Sequence, residues 1–153
     1  MTEAQLGRPP IFPLSPRVKH YDMGLDFMQQ YRQGMVRRLL THSVLMRKYR
    51  KQLRQLLVSE RPDIVITTMG LTTASTRFTS YDIDYRGNMN LYKEAVKANV
   101  KKFNYISVIA CKEPGAEKVP MLHAKAMVED EITKGDIDWV IYRPTGYFYD
   151  IAK

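Results

Sequence analysis

Three short apolar runs, each followed by turn residues and spaced by helix-length segments, constrain this chain more than anything else in it. They are "DIVITTMG" (63–70), "KKFNYISVIA" (101–110) and "IDWVIYRPTG" (137–146). The first is β-branched and ends at Gly70, the second predicts a strand over Phe103–Ala110, and the third predicts Trp139–Tyr142 stopped by Pro144. Runs of this kind, apolar throughout, predict buried strands. Between them, "YDIDYRGNMNLYKEAVKANV" predicts a helix with Asp84 as N-cap and Met89, Tyr92, Ala95 and Val96 on its apolar face. "HAKAMVEDEITKG" predicts a second helix, with Gly135 as its C-cap. Strand, helix, strand, helix, strand implies right-handed crossovers and a parallel sheet.

Before Pro62 the chain is different. Its first 22 residues hold four prolines and little periodicity, which predicts an extended arm without a core of its own. No apolar core of a secretory signal is visible there, and no run is long and apolar enough for a membrane-spanning helix. From 23 to 60 the pattern is helical, as one or two helices, with Thr41-His42-Ser43 as a place of interruption. Met28, Met35, Leu39, Met46, Tyr49, Leu53 and Leu56 form an apolar stripe. Residues 1–60 carry 11 Lys/Arg against 4 Asp/Glu, whereas residues 61–153 carry 13 against 12, so the net charge of +8 belongs almost wholly to the first segment. Arg37, Arg38, Arg47, Lys48, Arg50, Lys51 and Arg54 are the candidate partner-binding residues, suited to an acidic protein surface, RNA or an anionic lipid surface. The expected organisation is therefore an arm (1–22), a basic amphipathic helical segment (23–60) and an α/β unit (61–153). The single cysteine, Cys111, excludes an internal disulfide and fits a reducing, intracellular setting. No metal site is expected.

The blocks "DIVITTMG", "YDIDYRGNMNLYKEAVKANVKKFNYISV", "HAKAMVEDEI" and "IDWVIYRPTGYFYD" come in an order and spacing that resembles the NmrA-like, atypical short-chain dehydrogenase family of NAD(P)-binding proteins. The resemblance covers 63–153 and implies a Rossmann-type sheet that binds ligands at the carboxyl ends of its strands. It implies that Thr67 and Gly70 form the turn that passes the dinucleotide. It also implies that Ser107 lies near the nicotinamide, that Lys125 is the helix lysine holding the ribose, and that Pro144, Thr145 and Gly146 form the loop beneath the nicotinamide ring.

The departures weigh against chemistry. The glycine-rich GxxGxxG turn that would bring backbone N–H groups and a helix end to the pyrophosphate has no counterpart, since Gly7, Gly24 and Gly34 follow no apolar strand. The tyrosine usual four residues before the lysine is Met121, which has no transferable proton. His123, Tyr81, Tyr85 and Tyr147 could supply one, but nothing in the sequence selects among them. No catalytic residue is therefore assigned; Ser107 and Lys125 stand as vestigial candidates, and NAD(P) is the cofactor if there is one. Half a Rossmann sheet has an exposed edge and an uncovered face. The favoured expectation is a truncated Rossmann-like fold serving as a non-catalytic subunit of a large assembly. By analogy with accessory subunits of respiratory complex I, that assembly would be organellar, on the mitochondrial matrix side, or ribosomal. Two other readings stay open: an NAD(P)-dependent oxidoreductase or redox sensor completed by a second chain, and an RNA-binding protein using the basic helix.

Overall fold

A computed structural model describes residues 14–25, 35–71 and 79–145, with the side chains at 35, 38 and 39 excepted. The chain divides into two compact units, Met1–Leu53 and Arg54–Lys153. In the first, Met23, Leu25, Tyr49 and Leu53 are buried. One helix, α1 (Met35–Glu60), runs unbroken through Thr41-His42-Ser43, so of the one or two helices the sequence allows, a single one covers this stretch. Of the expected stripe, Tyr49 and Leu53 are buried and Met46 and Leu56 half-buried; Met28 and the side chains of Met35 and Leu39 fall outside the described residues. No helix among the described residues is long and apolar enough to cross a membrane.

The second unit is a parallel sheet of β1 (Ile64–Thr67), β2 (Lys102–Ile106) and β3 (Asp138–Tyr142), in the order β1-β2-β3. A π-helical turn, Tyr81–Gly87, runs into α2 (Asn88–Lys97) and links β1 to β2. Two 3-10 turns and α3 (Pro120–Thr133) link β2 to β3. Pro120 sits in the first turn of α3, where its missing N–H costs nothing. With strands added in sequence order, two right-handed crossovers place both helices on one face of the sheet. Accordingly the π-turn, α2 and α3 pack on one another.

Register fixes what lies beneath them. Val65 pairs with Phe103 and Thr67 with Tyr105, and all four are buried. Their neighbours point the other way. Ile64 and Ile66 are 50% and 62% exposed, and Tyr142, beside Ile106 on the same face, is also exposed. The first run is therefore a half-buried strand in which alternate residues face solvent, not the fully buried one its composition suggests. Its apolar outer face matches a sheet built for cover on both sides.

Three other sequence expectations are corrected. The second strand stops at Ile106, because Ile109–Lys112 turns into a 3-10 helix. Val96 is 44% exposed, although Met89, Tyr92 and Ala95 are buried as expected. Gly135 lies just past the C-cap, Lys134, but without the left-handed backbone that favours glycine there. Its reason is space: a Cβ on Gly135 would come within 1.9 Å of the Tyr92 hydroxyl. Tyr92 sits edge-on to Phe103, with ring centroids 5.2 Å apart, so its ring has little room to retreat. We expect Gly135→Ala to lower stability by about 1–3 kcal/mol. Tyr92→Phe should restore much of that loss in the double variant, since it removes both the clash and a buried hydroxyl with no hydrogen-bond partner. Urea unfolding of the two singles and the double is the check.

Candidate functional site

The carboxyl ends of the three strands converge on a polar cluster, most of it inside the unit. It starts from Asn88, which is fully buried. Its Oδ1 accepts from the Thr67 hydroxyl at 2.7 Å, and its Nδ2 donates to the carbonyls of Asp84 (2.7 Å) and Met69 (3.1 Å). One side chain thus ties the end of β1 to the start of α2. Thr67 spends its hydroxyl on that inward bond and also accepts from the Met69 N–H at 3.3 Å.

Asp84 follows from the same geometry. It is not the N-cap its sequence position suggests, because the helical backbone begins earlier, in the π-turn. The wider turn aims its carboxylate into the interior, where it has no exposure. One oxygen accepts from the Leu71 N–H at 3.3 Å, and the other lies 3.3 Å from the Lys125 ammonium. That second contact is an ion pair without hydrogen-bond alignment, since Oδ1 accepts no hydrogen bond. Lys125 also lies 5.6 Å from the centre of the Tyr105 ring. Gly70 closes the cluster from above. A Cβ there would meet Asp84 Oδ1 at 3.0 Å and Lys125 Nζ at 3.2 Å, so the turn after β1 rests directly on the pair.

A second charge centre lies one helical turn further along α3. Glu129 is buried and receives two bonds from Arg143, at 3.1 Å from Nε and 2.6 Å from a terminal nitrogen. Cys111 donates to the same carboxylate at 3.1 Å, and Ser107, also buried, lies 3.5 Å from the Cys111 sulfur. Burial alone would raise the Glu129 pKa, but the bonds from Arg143, Ser107 and Cys111 outweigh it and hold the carboxyl below its usual range. Burial pushes the Cys111 thiol up, so it is no ready thiolate. Burial, with the charges of Asp84 and Glu129, pushes the Tyr105 phenol far above its ordinary value. Its oxygen is enclosed and bonded to nothing among the described residues. A phenol so placed is a poor proton donor at neutral pH.

Outside this interior, Thr68, Ile106, Ile141, Tyr142, Arg143 and Pro144 line an open cleft of about 710 Å³. Of the residues the resemblance offers for a cofactor, Pro144 lines the cleft and Thr145 is exposed, whereas Thr67 and Gly70 face inward. Gly146 and Tyr147 lie outside the described residues. The two vestigial candidates are not brought together: Lys125 belongs to the Asp84 centre and Ser107 to the Glu129 centre. Tyr81 and Tyr85 stack on each other, 5.0 Å between centroids. His123 is exposed. Sequence alone does not single out Asp84, Asn88, Glu129 and Arg143 as site residues. Their only sequence signal is the i, i+4 spacing of Lys125 with Glu129 and of Asp84 with Asn88. Among the described residues no group of three His, Cys, Asp or Glu side chains could hold a metal.

No protein-family model matches the chain, and no curated protein does. Among solved structures it is similar to the Bordetella bronchiseptica enzyme WbmH, determined in complex with NAD+. The identity is 20% and the TM-score 0.55, over 63% of this chain and 37% of that one. This chain has a Rossmann-like fold. The likeness establishes that architecture, a truncated parallel sheet with flanking helices. The NmrA-like assignment remains a resemblance in the residues.

Two outcomes follow from the charge centres. Removing one partner of a buried pair strands the other charge, so Asp84→Ala and Lys125→Met should each cost about 3–5 kcal/mol. The double Asp84→Asn/Lys125→Met variant should recover part of the loss, as read by chemical denaturation. Because the Glu129 pKa is lowered by folding, its contribution is present above the ordinary Glu value of about 4.3 and fades as pH falls through the lower folded value. Glu129→Gln should therefore cost stability at pH 7, and the difference from the parent should shrink below about pH 4. A pH series of unfolding midpoints measures this.

Proposed function

We propose that this protein is a non-catalytic subunit of a larger protein assembly, built on a shortened dinucleotide-binding fold. The observation that carries the reading is the position of Lys125. In an active relative of the resembled family this lysine would face a ribose and a tyrosine. Here its ammonium rests on a fully buried carboxylate beneath the Gly70 turn. Such a pair holds helix to turn, and using the lysine elsewhere would strand Asp84 in the interior. Met121, in the place of the proton donor, and the enclosed Tyr105 support the same conclusion.

The subunit part of the reading rests on the sheet. Among the described residues, Ile64, Ile66 and Tyr142 share a face that carries no helix of the β1–β3 connections, and β1 and β3 each keep an open edge. A sheet face that exposes Ile64, Ile66 and Tyr142 beside Lys102, Asn104 and Asp138 favours cover by another chain of mixed apolar and polar character. An organellar assembly, respiratory or ribosomal, is the setting we favour, on the strength of the resemblance.

The test pairs two measurements on the full chain. Native mass of the endogenous protein should be that of a large, defined complex. Titration with NADH and NADPH, followed by nicotinamide fluorescence, should give no saturable binding up to about 1 mM, the upper end of the usual KM range. A free chain or small homo-oligomer would sink the subunit reading. Stoichiometric dinucleotide binding that Lys125→Met weakens would instead support an oxidoreductase or sensor completed by a second chain.

A further inference from the structure

Helix α1 carries a second stripe that its composition hides. Tyr49, Leu53 and Leu57, spaced four apart, are its buried face. Roughly opposite on the 3.6-residue turn lies another row: Val36, Leu40 and Val44, then Arg47, Lys51 and Arg54, with the exposed Val58 as its last member. The first three members are 74%, 65% and 63% exposed, and the three cations are exposed as well. Among the described residues none of these cations has an acidic partner. The stripe is therefore divided along the helix axis. An apolar stretch of about 12 Å is followed by a cationic stretch of about 10 Å.

That division selects the partner. A helix lying in a membrane surface needs its apolar face along its whole length, with cations on the flanks. Here the cations interrupt the row itself. A nucleic acid would engage the cations and leave Val36, Leu40 and Val44 in water. A protein helix with an apolar row at one end and carboxylates at the other satisfies both halves, by helix packing at the first and ion pairs at the second. We propose that the outward stripe of α1 docks such an acidic, amphipathic helix of a partner protein. The proposal deepens the subunit reading by naming the chemistry of one contact, and rests on that reading for its setting.

The test uses the full chain in its own cells. Leu40 is replaced by the photoreactive residue p-benzoylphenylalanine, and after irradiation the adducted peptide is sequenced by mass spectrometry. The expected product is a protein adduct on a peptide of net negative charge. Its yield should fall about tenfold or more when Arg47→Glu, Lys51→Glu and Arg54→Glu are combined, since three surface pairs become repulsive. It should persist with Arg47→Lys and Arg54→Lys. These side chains face away from the buried row, and circular dichroism of each variant is the check that the helix is kept. An adduct to lipid, to nucleic acid or to a neutral or basic peptide overturns the proposal. So does a yield indifferent to charge reversal, or no adduct. Native mass separates the two ideas. A large complex without an acidic adduct removes the helix contact alone, whereas an acidic adduct within a merely binary complex removes the subunit reading alone.

Discussion

A carboxylate with no exposure needs a cation, and in this protein Asp84 has Lys125. The remainder of the strand-end architecture is arranged around that requirement. The π-helical turn gives Asp84 its inward direction, and the absence of a Cβ at Gly70 lets the chain after β1 close over the pair. Asn88 holds the same turn from the other side through the carbonyls of Asp84 and Met69. A buried ion pair is a weak source of net stability, but it penalises strongly any arrangement in which one partner is missing. It therefore specifies how the turn, the π-helix and α3 meet more than it strengthens the fold.

The Glu129 centre does the same work one turn along α3. Arg143 reaches in from beyond the end of β3 and satisfies both carboxylate oxygens, while Cys111 and Ser107 complete the shell. Two charge centres on one face of α3 thus fasten it to β1's turn and to β3's end. Most of the polar groups at these strand ends are satisfied by one another.

The strands were legible because short apolar, β-branched runs bounded by turn residues are a property of neighbours along the chain, whereas the alternation of β1 was not read from them. That the sheet is parallel followed from the alternation of strands with helices, and the order β1-β2-β3 came only with the structure. Boundaries were less legible. The 3-10 turn at Ile109–Lys112 is apolar enough to read as strand, and the Asn88 bonds that fix the start of α2 cross nineteen to twenty-one residues of sequence. The site was visible only by residue type. Lys125 could be found from its motif, but its role depends on a carboxylate 41 positions away that looked like a helix cap. Gly135 read as a helix stop because glycine often is one, whereas its constraint is the Tyr92 hydroxyl from another helix. The outward stripe of α1 was hidden for a related reason. Sequence periodicity marks where apolar residues recur, and only burial tells which of two recurrences faces inward.

The two surfaces left open by this fold differ in chemistry, and that difference bears on how a complex would form. The outer sheet face offers Ile64, Ile66 and Tyr142, whose burial contributes affinity without direction. The row on α1 adds three exposed cations on one line, whose field reaches about 8–10 Å into physiological salt. Charges of that kind govern the rate and orientation of encounter more than final affinity. If both surfaces belong to one assembly, the helix orients the incoming chain and the sheet face closes afterwards. Association would then slow with added salt far more than the finished complex would weaken.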